Sequence, residues 1–374
     1  MGDFYMTMPR SSLVSLSDTP WYHVVCRCVR RAFLCGEDSV TGQSFEHRRG
    51  WIEARIRKLA SVFAIDVAAY AVMSNHYHLV VRIDEERTRG WSDEEVLKRW
   101  TLLFKGPLFV QRYLSDARSE MSDAELDRVG QWVELYRQRL CDLSWMMRVL
   151  NETIARMANA EDNCTGRFWE GRFKSHALLD EQALLSVMAY VDLNPVRAAI
   201  AETPETSDHT SIKQRIEDLS PDDRKDKAKA TTCAVQETEV LENLKPGKNT
   251  LLNLQIESAF KKLPEAPLLP FEPTCSLGTG IPFTLEDYLE LVDVVGRVVH
   301  PDKRGFILER TPAILVRLGI DAEEFVANAD QFLKEFGCAV GTPDKMIELA
   351  VQKQSRYLRG ISKARAVFEN GKAA

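Results

Sequence analysis

Two β-rich apolar runs, Ile65–Val72 and Tyr77–Ile83, are separated only by Met73, Ser74 and Asn75. Runs of this length bounded by turn formers read as strands joined by a tight turn, which commits this part of the chain to a sheet. The second run belongs to Asn75-His76-Tyr77-His78-Leu79-Val80-Val81. Side chains at i and i+2 of a strand share a face. His76 and His78 therefore project together, while Tyr77 turns to the apolar side. Two imidazoles held this way are a ready nitrogen pair for a divalent metal. Two surface histidines on an edge strand would give the same pattern.

Around this pair the sequence alternates between strand and helix signals. Residues 21–29 carry β-branched and aromatic residues and read as a strand. Residues 45–63 place Trp51, Ile52, Ile56, Leu59, Ala60 and Phe63 at helical spacing. The other face holds Arg48, Arg49, Arg55, Arg57 and Lys58, read as a solvated face or a DNA contact. Ser92-Asp93-Glu94-Glu95 and Ser122-Asp123-Ala124-Glu125 have the capping-box spacing and open long helices, the second running with interruptions to about Ala158. Residues 166–174 are aromatic and basic and read as extended. Asp180 caps a helix through Leu193 that Pro195 ends or kinks.

On that helix Leu184, Leu185, Val187, Met188 and Val191 form an apolar stripe. Tyr190 and Asn194 are four residues apart and stack on a neighbouring face, with Arg197 one turn further. A phenol, an amide and a guanidinium thus form one row. A structural tyrosine followed by a capping asparagine would look alike.

Net charge is −6 over 374 residues, which by itself argues against a nucleic-acid partner. Charge is unevenly spread, however. Residues 1–58 hold nine Lys/Arg against six Asp/Glu, a local +3 that leaves −9 for the remainder. No apolar run approaches the roughly 20 residues of a membrane span, and residues 1–10 lack a secretory pattern, so a cytoplasmic protein is expected. His23, Cys26, Cys28 and Cys35 make a poor zinc set, because one C-x-C pair has no matched second pair. The composition of residues 203–250 shifts to Asp, Glu, Lys, Ser and Thr, as in a polar linker. Beyond it, Thr284, Thr311-Pro312 and Thr342-Pro343 open helices of a mainly α-helical C-terminal domain.

The H-hydrophobic-H strand, the segment Gly166-Arg167-Phe168-Trp169-Glu170-Gly171-Arg172-Phe173-Lys174 and the Tyr-x-x-x-Asn-Pro-Val-Arg-Ala helix resemble the REP-associated tyrosine transposases. These belong to the IS-two-hundred-like, single-tyrosine HUH group, and the resemblance covers roughly residues 15–215. It implies an α+β fold, a ferredoxin-like antiparallel sheet with helices on one side. It also implies a DNA strand-transferase that cleaves and rejoins single-stranded, hairpin-forming, REP-like DNA through a 5′-phosphotyrosine. Carried across residue by residue, Tyr190 is the nucleophile, and His76, His78 and Asn194 bind a divalent metal, Mg2+ or Mn2+.

DNA contacts are expected from Arg27, Arg30, Arg31, Arg167, Arg172, Lys174 and Arg197, with the interleaved Phe168, Trp169 and Phe173 either stacking on bases or packing in a core. A basic stripe of Lys353, Arg356, Arg359 and Lys363 is a weaker candidate. The organisation expected is a catalytic domain over 1–215 with a helical insertion at about 90–140, a linker over 216–250 and a C-terminal domain over 251–374 for DNA binding or oligomerisation. Single-stranded or hairpin DNA is the expected partner, a homodimer is open, no membrane is involved, and the location is cytoplasmic and nucleoid-associated. The insertion and the C-terminal domain depart from the family's simple pattern. They leave a domesticated, non-catalytic DNA-binding protein as one alternative and an unrelated His-metal hydrolase as another.

Overall fold

The computed structural model describes residues 13–29, 34–37, 42–219, 258–299, 312–327 and 332–368. In chain order come β1 (Trp21–Arg27), α1 (His47–Val62), β2 (Ile65–Val72) and β3 (His76–Ile83). The insertion follows as α2 (Glu85–Gly90), α3 (Asp93–Thr101), α4 (Leu108–Tyr113), a 3-10 turn (Asp116–Glu120) and α5 (Asp123–Leu140). Next are α6 (Leu143–Glu161), β4 (Lys174–Leu178), α7 (Glu181–Asp192), α8 (Asn194–Arg197) and α9 (Ser211–Leu219). After them stand α10 (Leu285–Val299), α11 (Ala313–Arg317), α12 (Ala322–Ala327), α13 (Phe332–Glu335), β5 (Ala339–Val340), α14 (Pro343–Gln352) and α15 (Ile361–Phe368).

The fold is α+β. Its sheet has the order β2-β3-β1-β4-β5, antiparallel except for the β4–β5 pair. Register decides what each face carries. His76 lies opposite Arg27, His78 opposite Val25, and His23 of β1 opposite His176 of β4. One face therefore gathers four histidines. The other carries Tyr77, Leu79, Val81, Tyr22, Val24 and Tyr70, all buried. On this apolar face lie α1 and α6. Tyr70 donates its hydroxyl to Glu53 of α1 at 2.7 Å, and Tyr77 donates to Asn151 of α6 at 2.6 Å. The tyrosine helix α7 meets the histidine face.

The arginines expected on an outer face of α1 are turned inward. Arg48 is fully buried and paired with Glu161 and Asp162 at the end of α6. Arg49 donates to the Val72 carbonyl at 2.5 Å, and Arg55 lies over the Phe260 ring. The Glu161 and Asp162 carboxylates, more than a hundred residues away along the chain, neutralise the Arg48 charge. They make this cationic face part of the interior.

Neither edge of the sheet is bare. Residues 209–215 run along β2, with Val72 N–H donating to the His209 carbonyl, Tyr70 N–H to Ser211 and Arg215 to the Ala68 carbonyl. At the far edge β5 pairs in parallel with β4. The region expected as a C-terminal domain thus contributes a strand to this sheet. A parallel edge strand of two residues carries no readable alternation. Residues 216–219 of the expected linker belong to α9, and 220–257 lie outside the described residues. The basic stripe is not helical, since Lys353, Arg356 and Arg359 fall between α14 and α15 with Gln354 at φ +51°. Lys353 pairs with Asp18 and Lys363 with Glu324.

Two aspartates hold α7. Asp180 caps it through Ala183 N–H at 2.9 Å, and its other oxygen accepts Thr342 N–H at 2.6 Å. Asp192, fully buried at the opposite end, accepts Ser211 Oγ and Ile212 N–H of α9 and, at 2.5 Å, the Tyr288 hydroxyl of α10. Burial pushes the Asp192 carboxyl up to about 6 despite the donors Ser211 and Tyr288. A folded-state value above the unfolded one of about 3.9 means the folded state keeps this proton between about pH 4 and 6, so the group costs stability as pH rises through that window. In urea unfolding, Asp192→Asn should therefore gain on the wild type by up to about 2–3 kcal/mol between pH 4 and 7. A difference that is flat or falls with pH would show that Asp192 is ionised throughout.

Candidate active site

The pleat of β3 brings His76 and His78 to one face, with ring centroids 4.8 Å apart and planes at 77°. His78 is only 5% exposed. Its Nδ1 lies 2.9 Å from His23 Nε2, and its own Nε2 is buried without a hydrogen-bond partner. His76 Nδ1 is 2.5 Å from Asn75 Oδ1. An amide oxygen only accepts, so Nδ1 carries the proton and the lone pair of neutral His76 is on Nε2. His23 reaches on, its Nδ1 3.1 Å from His176 Nδ1. Three imidazoles, His78, His23 and His176, thus form a hydrogen-bonded line across β3, β1 and β4.

All four rings favour the neutral form. Burial, then the Arg27 and Arg197 guanidiniums, hold His76 down at about 4. Burial and the neighbouring imidazoles push His78 and His23 well below the ordinary range. Burial, then Lys174, hold His176 at about 4. A neutral imidazole is the form that can offer a lone pair.

Helix α7 delivers the tyrosine. The Tyr190 ring stands edge-on to His78 at 5.8 Å, and the Arg197 guanidinium lies 4.1 Å over the Tyr190 ring. Asn194, at the start of α8, is 7% exposed, and its amide nitrogen has no hydrogen-bond partner. Leu193, which separates α7 from α8, keeps right-handed helical dihedrals, so the row of Tyr190, Asn194 and Arg197 is preserved past the break. His76, His78, Tyr190 and Arg197 meet on one face of the sheet, and Arg27 flanks His76.

The other expected DNA contacts divide. Arg30 and Arg31 lie outside the described residues. Lys174 is exposed beside Val25 on the histidine face, and Arg172 is exposed just before it. Arg167 spends its guanidinium on the Trp169 and Glu170 carbonyls of its own loop. Phe168, Trp169 and Phe173 are buried, so packing rather than base stacking explains these aromatics. Cys26, Cys28 and Cys35 are buried as well, and among the described residues no three or more His, Cys, Asp or Glu side chains are grouped to hold a metal. His176 escaped the sequence reading because it sits on a strand the sequence did not reveal, whereas His23 was weighed there only as a member of a poor zinc set and not as a neighbour of His78.

No model of a known protein family matches the chain, and no curated protein matches it. Among solved structures, a REP-associated tyrosine transposase bound to a REP hairpin is similar at 13% identity, over 60% of this chain and 90% of that one, with a TM-score of 0.31. No helix among the described residues is long and apolar enough to cross a membrane.

The histidine line makes a stability prediction. His23→Phe keeps the ring volume but leaves His78 Nδ1 and His176 Nδ1 buried without their partner. It should lower unfolding stability by about 1–3 kcal/mol, read from chemical denaturation. An unchanged midpoint would mean that the two nitrogens are solvated.

Proposed function

We propose that this chain cleaves and rejoins single-stranded, hairpin-forming DNA of the REP-like kind, with Tyr190 as nucleophile and a divalent metal held by His76, His78 and Asn194. One observation carries the reading: the Tyr190 ring stands against His78, whose outward nitrogen is buried and unpartnered. The resemblance of the histidine strand and the Tyr-x-x-x-Asn helix to REP-associated tyrosine transposases supports it.

The donor set fits a metal. His76 is fixed by Asn75 with its Nε2 lone pair outward, and His78 offers a buried Nε2. With His78 donating from Nδ1 to His23 Nε2, and His23 from its own Nδ1 to His176 Nδ1, the proton at each ring-to-ring contact finds an acceptor. His23 thereby orients His78, as hydrogen-bonded partners of metal-bound histidines generally do. The Asn194 amide supplies the third protein group. Two nitrogens and one oxygen suit Mn2+ at least as well as the oxygen-seeking Mg2+. The ion would neutralise charge on a phosphate oxygen and position the phosphorus.

The remaining chemistry belongs to the chain. The Tyr190 oxygen forms a bond to phosphorus, the bond to the 3′ oxygen breaks, and that oxygen leaves as a hydroxyl as the phenol gives up its proton. The 5′ end stays on Tyr190 as a phosphodiester, so a 3′-hydroxyl can reverse the step and join strands without a nucleotide cofactor. Arg197, stacked on the tyrosine ring, places a permanent positive charge beside the nucleophile. Arg27 and Lys174 extend that charge along the same face.

Incubation with hairpin DNA and Mn2+ should yield a covalent protein–DNA adduct that denaturing electrophoresis resolves. Tyr190→Phe should abolish it while leaving the fold intact, and adduct persisting in that variant would remove Tyr190 from the role. His76→Ala and His78→Ala should each lose measurable Mn2+ binding in calorimetry. His23→Phe should weaken it by roughly 10–100-fold. Normal metal affinity in both alanine variants would refute the metal site.

A further inference from the structure

Between α3, α5 and α6 lies a cleft that neither the histidines nor Tyr190 line. It has a volume of about 460 Å³ and is lined by Trp100, Phe104, Lys105, Gly106, Pro107, Tyr136, Arg139, Trp145 and Arg148. That volume lies within the range of small-ligand sites, roughly 300–1,000 Å³. Its back is an aromatic stack. Trp100 lies parallel to Tyr136 at 4.6 Å and to Phe104 at 4.7 Å, and Trp145 meets Trp100 edge-on at 5.3 Å. Trp100 and Tyr136 are buried, whereas Phe104 and Trp145 are part-exposed at the mouth. Gly106 lets the loop carrying Lys105 close down, since a Cβ there would stand 2.8 Å from Val110 Cγ1.

The charge of this cleft is one-sided. Three of its nine lining residues are cations and none is an acid. Elsewhere from α3 to α5 most cations are matched to acids: Lys98 and Arg118 pair with Glu94, Arg99 with Glu95, Arg112 with Glu125 and Arg137 with Asp93, while Arg128 bonds to Gln131 instead. Lys105 and Arg139 have no carboxylate partner among the described residues, and Arg148 reaches exposed Glu152 only at 3.8 Å while lying 5.1 Å over the Trp145 ring. Arg139 lies 4.4 Å over Trp145, which leaves the guanidinium edge to bind an anion.

We infer that this cleft binds an unpaired nucleotide of single-stranded DNA, its base against Trp145 and Phe104 and its phosphates on Lys105, Arg139 and Arg148. Aromatic faces interleaved with unmatched cations are the chemistry of single-strand binding without sequence preference. An uncharged aromatic ligand would leave the three cations without purpose, and a bare phosphate would leave the aromatic wall so. Trp145 and Arg148 lie on α6, and one turn further Asn151 of that helix holds Tyr77 on the sheet face opposite the histidines. The bound nucleotide therefore belongs to an unpaired segment flanking the hairpin, away from the phosphate Tyr190 would attack. The inference rests on the reading that DNA is the partner, but not on Tyr190 chemistry.

Fluorescence anisotropy of the full chain with labelled dT10, a blunt hairpin, and the same hairpin carrying a ten-nucleotide tail tests it. Trp145→Leu should weaken dT10 and tailed-hairpin binding by about 5- to 100-fold, within the range for losing one stacked base, and leave the blunt hairpin unchanged. Lys105→Gln/Arg139→Gln, a part-exposed pair whose loss does not threaten the fold, should lower the salt slope for dT10 by about 1.4. Wild-type affinity for dT10 in the double variant, or equal loss on the blunt hairpin, overturns the inference, as does failure of the wild type to bind dT10. Cleft-dependent dT10 binding without any Tyr190 adduct upholds it while sinking the catalytic proposal.

Discussion

Everything distinctive in this structure depends on the register of β3 between β1 and β2. With a side-chain period of two, a slip of one residue would put Tyr77 and Leu79 where His76 and His78 now stand. It would also push two imidazoles into the hydrocarbon layer under α1 and α6. The slip is opposed from both sides. Tyr77 and Leu79 fill the apolar face together with Tyr22, Val24 and Tyr70, and the hydroxyls of Tyr70 and Tyr77 are committed to Glu53 and Asn151. The core thus enforces the placement of the polar face.

The same register produces the histidine line. His23 and His78 are not opposite one another: His78 faces Val25 and His23 faces Val80. Their rings meet on the diagonal, stacked with centroids 5.1 Å apart. A diagonal neighbour is within reach of a ring but not of a short side chain, so this contact requires an aromatic group at both ends. Imidazole also supplies the hydrogen bond.

Features governed by local periodicity were legible before the structure. The shared face of His76 and His78, the capping box at Ser122, the Asp180 cap and the row of Tyr190, Asn194 and Arg197 all follow from spacings within a few residues. What could not be read depends on distant partners. Lys174–Leu178 has polar residues at three of five positions and becomes a strand only because β1 and β5 flank it. Arg48 looks like a surface residue until Glu161 and Asp162 arrive beside it. The aromatic cleft is assembled from α3, α5 and α6, whose capping signals were plain but whose mutual packing was not. Phe168, Trp169 and Phe173 were the more conspicuous aromatic sequence, and they turned out to be interior.

The two carboxylates of the tyrosine helix bear on the order in which the protein is completed. Asp180 takes its second donor from Thr342, 162 residues later, and Asp192 takes the Tyr288 hydroxyl, 96 residues later. Synthesis proceeds from the N-terminus and domains assemble as their segments emerge. The β1–β3 sheet and the helices over its apolar face can close early through their contacts with one another, and later segments then add contacts such as Phe260 under Arg55 and Ser211 beside Tyr70. The helix bearing Tyr190 gains its last tethers only after nearly the whole polypeptide has been made. A truncated chain would carry the histidines in place and the phenol on a loosely held helix, so of the side chains gathered on the histidine face, Tyr190 is the last to be brought under positional control.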